Sequence, residues 1–86
     1  MSDQEFQQAQ LDVKNLKKRP ANDDMLALYA NYKQASSGDV SGKRPGMMDM
    51  VGKAKYDAWA KLKGTSQDSA RQTYTDKVKA LIAADS

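Results

Sequence analysis

Apolar side chains in this sequence recur three and four positions apart in four separate stretches, and nowhere in the alternating pattern of a strand. That spacing follows the 3.6-residue turn of an α-helix and gathers the apolar groups of each stretch on one face, which must be buried against another element. A chain of 86 residues is long enough for one domain and too short for two, so the four helices must share one small core. The expected fold class is therefore all-α, as a single domain over residues 1–86. A core so small leaves a large ligand near the surface.

In the first stretch Phe6, Ala9, Val13 and Leu16 share a face, and Lys17-Lys18-Arg19-Pro20 ends the helix. Cations suit a helix C-terminus, and proline disfavours helix in the residue before it. A second helix is expected from about Asn22, a good N-cap, with Asp23 and Asp24 complementing the dipole of the first turn. Its inner face carries Met25, Leu28, Tyr29 and Tyr32, widened by Leu26, and it fades at Ser36-Ser37-Gly38. Residues 36–46 read as a loop broken by Gly38, Gly42, Pro45 and Gly46, long enough to wrap the core or serve a function. Met47-Met48-Asp49-Met50 follows as an expected apolar plug. A third helix is expected from about Gly52 to Leu62, with Ala58, Trp59 and Leu62 inward. Gly64 breaks it, and Thr65 or Ser66 caps a fourth helix with Ala70, Tyr74, Val78 and Leu81 inward and Ile82 beside them.

Composition excludes several kinds of chemistry. Without cysteine there is neither a disulfide framework nor a thiolate metal site. Without histidine the usual general base and the commonest metal ligand are missing, and no carboxylates cluster to replace them, so no catalysis and no cofactor are expected. The start, from Met1 to Glu5, is polar and acidic, unlike a secretory signal. No apolar run approaches the roughly 20 residues that span a bilayer. The expectation is a soluble, cytoplasmic protein. Fourteen basic against 11 acidic residues leave a net charge of +3, which suits an anionic partner without naming it.

Three segments invite a chemical reading. Gly38-Asp39-Val40-Ser41-Gly42-Lys43 has glycine and lysine like a P-loop, but its glycines are one residue too close, Arg44 stands where the hydroxyl should be, and no strand precedes it. In Tyr29-Ala30-Asn31-Tyr32-Lys33, two phenols lie on one face with an ammonium one turn on, a set suited to a phosphorylated aromatic ligand. Core tyrosines and a solvated lysine explain the same pattern. On the third helix Lys55 and Trp59 lie one turn apart, so a cation and a ring share a face; a core tryptophan beside a surface lysine is the plainer account. Single-strand nucleic-acid binding needs clustered basic charge, whereas the cations here are spread through every segment, so no nucleic acid is expected.

Four blocks then stand in order: YANYKQA at 29–35, RPGM at 44–47, GKAKYDAW at 52–59 and LKGTS at 62–66. In content and in spacing, without gaps from Phe6 to Tyr74, they resemble the acyl-CoA-binding protein family, whose blocks read Y-x-x-Y-K-Q-A, R-P-G-M and G-K-A-K-W-D-A-W. The resemblance implies an antiparallel four-helix bundle with a bowl-shaped site for fatty acyl-CoA. It implies that Lys33 meets the 3′-phosphate of the CoA ribose, with Tyr29 and Lys55 near the nucleotide and its phosphates. Tyr32 and Tyr74 are implied to line the head-group site. Lys14 and Arg19 would add electrostatic help, and Phe6, Met25 and Leu26 would flank the acyl chain. It implies a monomer that binds, buffers and transports medium- to long-chain acyl-CoA, meeting acyl-CoA-using enzymes or membranes only transiently.

The sequence departs from the family pattern at Tyr56, where tryptophan is usual, and at Met48, Met50 and Val51, where leucine, phenylalanine and a polar or basic residue are common. Methionine is adaptable, so these positions are expected to reshape the acyl groove. Together they also form a patch on which a different reading rests, that of a protein-interaction module on the same fold.

Overall fold

The computed structural model describes residues 3–85, folded as α1 (Asp3–Val13), α2 (Asn22–Ser37), α3 (Met50–Ala60) and α4 (Gln67–Asp85), with no strand among the described residues. Met1 and Ser2, part of the polar start, lie outside them. Helix α2 packs against both α3 and α4, while α1 packs against α4. The core is built from Phe6 and Ala9 of α1, Leu28 and Ala35 of α2, and Ala70, Tyr74 and Val78 of α4, flanked by Val13 and Leu81. The Cα envelope measures 38 × 27 × 15 Å. Its short axis holds no more than two packed helix layers, so a large ligand must lie on a face of the molecule rather than inside it.

Helix boundaries follow tertiary partners where these outweigh local signals. The apolar spacing in α1 predicts a helix reaching Leu16, but the helix ends at Val13, and Lys14 and Asn15 close a tight turn onto Leu11 and Asp12. The backbone N–H groups of Lys17 and Lys18 then donate to the Asp85 carboxylate of α4, at 2.7 and 3.1 Å. Those bonds to the far end of the chain stop the helix before its own sequence does. Asn22 is not the N-cap of α2. That position is Ala21, which has no capping side chain, and Asn22 is the first helical residue. Asp24 of that first turn forms an ion pair with Lys77 of α4. At α4, Ser66 rather than Thr65 caps, its Oγ accepting from the Ser69 N–H at 3.0 Å.

Helix α3 starts two residues earlier than Gly52, because Asp49 caps it by accepting from the Gly52 N–H at 2.9 Å. This early start overturns the plug. The tight turn from Gly46 to Asp49 lifts Met47 and Met48 away from the core, and the two are 84% and 99% exposed. Met50 and Val51, on the first turn of α3, are also exposed. Ile82 on α4 is likewise more exposed than its spacing predicts.

The long loop is held firmly against α3. Gly38, at φ +82°, ends α2 in the left-handed region that favours glycine. Its carbonyl accepts from Trp59 Nε1 at 2.9 Å, the Gly42 carbonyl accepts from the Tyr56 hydroxyl at 3.0 Å, and Arg44 makes a two-pronged pair with Asp57 at 2.8 and 2.7 Å. Gln34, fully buried, ties the α2–α3 loop to the α3–α4 loop by donating from Nε2 to Asp39 Oδ1 at 2.9 Å and to the Thr65 carbonyl at 2.8 Å. Asp39 also accepts from the Gly64 N–H at 2.9 Å. This backbone donor, seconded by Gln34, holds the Asp39 carboxyl below the usual aspartate range.

Candidate functional site

Two apolar stripes face each other across the α2–α3 packing. On α2 the residues are Asn22, Met25, Leu26 and Tyr29, and on α3 Met50, Val51, Ala54 and Lys55. Both sets follow helical spacing, so each helix offers one continuous wall, and the groove between them encloses about 460 Å³. Arg19, Asn22 and Lys55 supply its polar atoms, and Arg19 Nε lies 3.2 Å from Met25 Sδ. A second hollow of about 330 Å³ adjoins it, sharing Met25 and Tyr29 as wall and adding Lys14, Tyr32 and Tyr74 among others. The two form one depression bent around Met25 and Tyr29.

Aromatic rings and cations are interlocked between α2 and α3. The Lys33 Nζ of α2 stands 4.9 Å from the ring centre of Trp59 on α3, and the Lys55 Nζ of α3 stands 5.2 Å from the ring centre of Tyr29 on α2. The sequence places Lys55 on the face of Trp59, one turn along the same helix. The fold instead exchanges partners crosswise, because packed helices bring facing side chains as close as those one turn apart. Each cation rests on the electron-rich face of a ring and remains free to offer N–H donors to an anion.

Behind the second hollow lies an aromatic triad. Phe6 and Tyr74 meet edge to face at 5.3 Å, with Tyr32 at 6.3 Å from Phe6 and 6.4 Å from Tyr74. Tyr74 is buried, Tyr32 half-exposed. Burial, and secondarily the neighbouring Tyr32 phenol, push the Tyr74 phenol above its ordinary value, so it stays a neutral hydrogen-bond donor.

Of the residues singled out in the sequence, Arg19, Met25, Leu26, Tyr29 and Lys55 line the groove, and Lys14, Tyr32 and Tyr74 line the adjoining hollow. Phe6 reaches neither surface and supports the two tyrosines from within. Lys33 lines neither hollow and sits one turn beyond Tyr29 against Trp59. Asn22 and Ala54 were not anticipated as wall residues. The spacing 50, 51, 54, 55 puts Ala54 on the wall once the third helix begins at Met50, behind its Asp49 cap, rather than at Gly52.

Among the described residues no group of three or more His, Cys, Asp or Glu could hold a metal ion, and no helix is long and apolar enough to cross a membrane. The site combines an open apolar trough with cations and phenols at its edge. Such an arrangement can bind a molecule with a long apolar tail and an anionic aromatic head.

Comparison with known proteins points the same way. The family model described as acyl CoA binding protein matches residues 3–78. The chain is 49% identical over 81 residues to the acyl-CoA-binding protein homolog of Manduca sexta, covering 93% of this chain and 90% of that protein. It is 47% identical over 83 residues to the Drosophila melanogaster homolog, covering 96% of each. Among solved structures, Oryza sativa acyl-CoA-binding protein 2 superimposes with a TM-score of 0.90 at 37% identity, over 94% of this chain and 88% of that one. The crystal structure of ACBP from Moniliophthora perniciosa gives 0.84 at 39% identity, over 98% and 94%.

Proposed function

Because this chain belongs to the acyl-CoA-binding protein family, we propose that it binds medium- to long-chain fatty acyl-CoA in the α2–α3 depression and carries and buffers it without catalysing a reaction. It acts as a single-domain monomer in the cytoplasm. The observation that carries this reading is the pair of facing apolar stripes ending beside Lys33 and Lys55.

The acyl chain lies along Met25 and Leu26, opposite Met50 and Val51. Each methylene that leaves water contributes about 0.8 kcal/mol, so the chain supplies most of the gross affinity. Net affinity is well below that sum, since ordering a flexible ligand is costly. The CoA head covers the opening. Its adenine has the Tyr29 ring to lie against, and its phosphates have the Lys33 and Lys55 ammonium groups, with Lys33 directed at the 3′-phosphate. Charge-assisted bonds of this kind fix orientation as well as adding energy. Tyr32 and Tyr74 donate to the head group from the adjoining hollow, and Lys14 and Arg19 add positive potential. Lys33 and Lys55 already rest on aromatic faces, which limits the rotamer entropy lost when they turn to a phosphate.

Amide chemical shifts during titration with decanoyl-CoA test this assignment. The expected changes run along residues 22–33 and 50–59 and leave the outer face of α1 around Gln8 and Leu11 unmoved. Shifts centred on α1, with α2 and α3 silent, would place the ligand elsewhere.

A further inference from the structure

Without cysteine, the sulfur that this chain offers to a peroxide is that of methionine. Among the described residues the methionines are Met25, Met47, Met48 and Met50, and they differ in access to water and in their place relative to the groove. Met47 and Met48 are almost fully exposed and line neither the groove nor the adjoining hollow. Met25 stands at the bend of the depression, 38% exposed, and its Sδ already accepts from Arg19 Nε at 3.2 Å. A lone pair held by a donor is a poorer nucleophile. Met50 is 77% exposed and also belongs to the α3 wall of the groove. It joins an open thioether to the surface that an apolar tail would cover.

Hydrogen peroxide oxidises a thioether in one two-electron step. A sulfur lone pair attacks one peroxide oxygen, and the S–O bond forms as the O–O bond breaks. The departing hydroxide takes up the proton of the transferred oxygen and leaves as water. Sulfur is thereby oxidised to the sulfoxide and peroxide is reduced to water. A flexible apolar side chain becomes a polar one with an acceptor oxygen. In the empty groove that oxygen faces solvent and costs the fold little. Beneath an acyl chain it gives up its water, and a hydrocarbon offers it no hydrogen bond in return. The penalty falls on the complex.

We propose that Met50 is a reversible oxidation site through which peroxide lowers the affinity of the groove for its acyl ligand. The effect on binding rests on the acyl-CoA reading. Binding and oxidation oppose each other: a tail over Met50 shields its sulfur, and a sulfoxide there disfavours the tail. Peroxide therefore acts on the empty carrier and spares the loaded one. Met47 and Met48 react as readily but leave the groove unchanged. Methionine sulfoxide reductases, one for each sulfoxide epimer, restore the wall.

The test treats the full chain with hydrogen peroxide, locates each added oxygen by peptide mass spectrometry, and titrates palmitoyl-CoA before and after. Oxygen is expected on Met47, Met48 and Met50 before Met25. Affinity should fall about tenfold as Met50 is oxidised, with the helical circular dichroism unchanged. Each variant is compared with itself untreated. M47L/M48L should show the same fall as the unaltered chain, and Met50→Leu should show almost none of it while Met25 is still unoxidised. Saturating palmitoyl-CoA should slow oxidation of Met50 severalfold and leave that of Met48 unchanged, and the reductases should restore affinity. An equal fall in Met50→Leu and the unaltered chain, or full oxidation of Met50 with no loss of affinity, would overturn the proposal. So would oxidation of Met50 at the same rate with and without bound ligand. Failure of the untreated chain to bind palmitoyl-CoA would instead overturn the carrier reading, and with it the effect on binding.

Discussion

Replacing Lys33 by methionine keeps most of the aliphatic stem and removes the charge. In the unliganded protein the ammonium rests 4.9 Å from the Trp59 ring centre, a contact worth about 0.5–1 kcal/mol at a partly exposed site. In the complex it makes a charge-assisted bond to the 3′-phosphate, worth about 1.5–3 kcal/mol. If the lysine leaves the ring to reach the phosphate, the net loss on substitution is the difference, about 1.5 kcal/mol or roughly tenfold in Kd. The assay is calorimetric titration of both proteins with palmitoyl-CoA and with its 3′-dephospho analogue. The tenfold loss should appear with the first ligand and vanish with the second. Trp59 emission should change on binding in the unaltered chain, since a cation moves off its ring. Equal losses for the two ligands would refute the assignment of Lys33 to the 3′-phosphate.

Several other outcomes are expected. Gln34→Ala removes the Nε2 bonds to the charged Asp39 and to the Thr65 carbonyl and leaves a void, and should cost about 3 kcal/mol in urea unfolding; a change under about 0.5 kcal/mol would deny that Gln34 ties the loops. Asp39, its carboxyl held low by the Gly64 N–H and Gln34, stabilises the fold above the ordinary aspartate value, a contribution lost as pH falls through its folded value; Asp39→Asn should flatten that acid limb of a melting-temperature profile. Tyr74 has the opposite sign. Its raised value gives a contribution fully present below the unfolded tyrosine value and lost as pH rises through the folded one, so in an absorbance titration of the four tyrosines Tyr74→Phe should abolish the latest-titrating component. Across a series of acyl chains, each added pair of methylenes should tighten binding by at most about 1.6 kcal/mol until the groove is full, and a flat series would show that the chain lies outside it.

Much of this molecule was legible in its sequence because helical periodicity and chain breakers are local signals. Leu28, Ala70, Tyr74 and Val78 are buried where their spacing puts them, as is Trp59, and Gly38 ends α2, whereas α3 ends at Ala60, before Gly64. What escaped depends on partners distant in sequence. The early end of α1 follows from Asp85, at the other end of the chain. The burial of Gln34 follows from Thr65, 31 residues on, and no apolar pattern announces a buried amide. The crosswise pairing of Lys33 with Trp59 and of Lys55 with Tyr29 arises only when α2 meets α3. Hydrophobicity misled at Met47 and Met48, since composition suggests burial and only the turn geometry shows that nothing covers them. The blocks around Tyr29, Arg44, Gly52 and Leu62 are informative for a different reason: they carry a resemblance, and with it a ligand that no periodicity names.

The central claim is that one thioester ligand needs both halves of the depression, tail and head together. Isothermal titration with palmitoyl-CoA tests it directly, with free CoA and palmitate titrated separately into the same protein. The account expects saturable one-to-one binding of the thioester, with each half alone far weaker. Absence of binding by folded, lipid-free protein, or palmitate bound as tightly as palmitoyl-CoA, would contradict it.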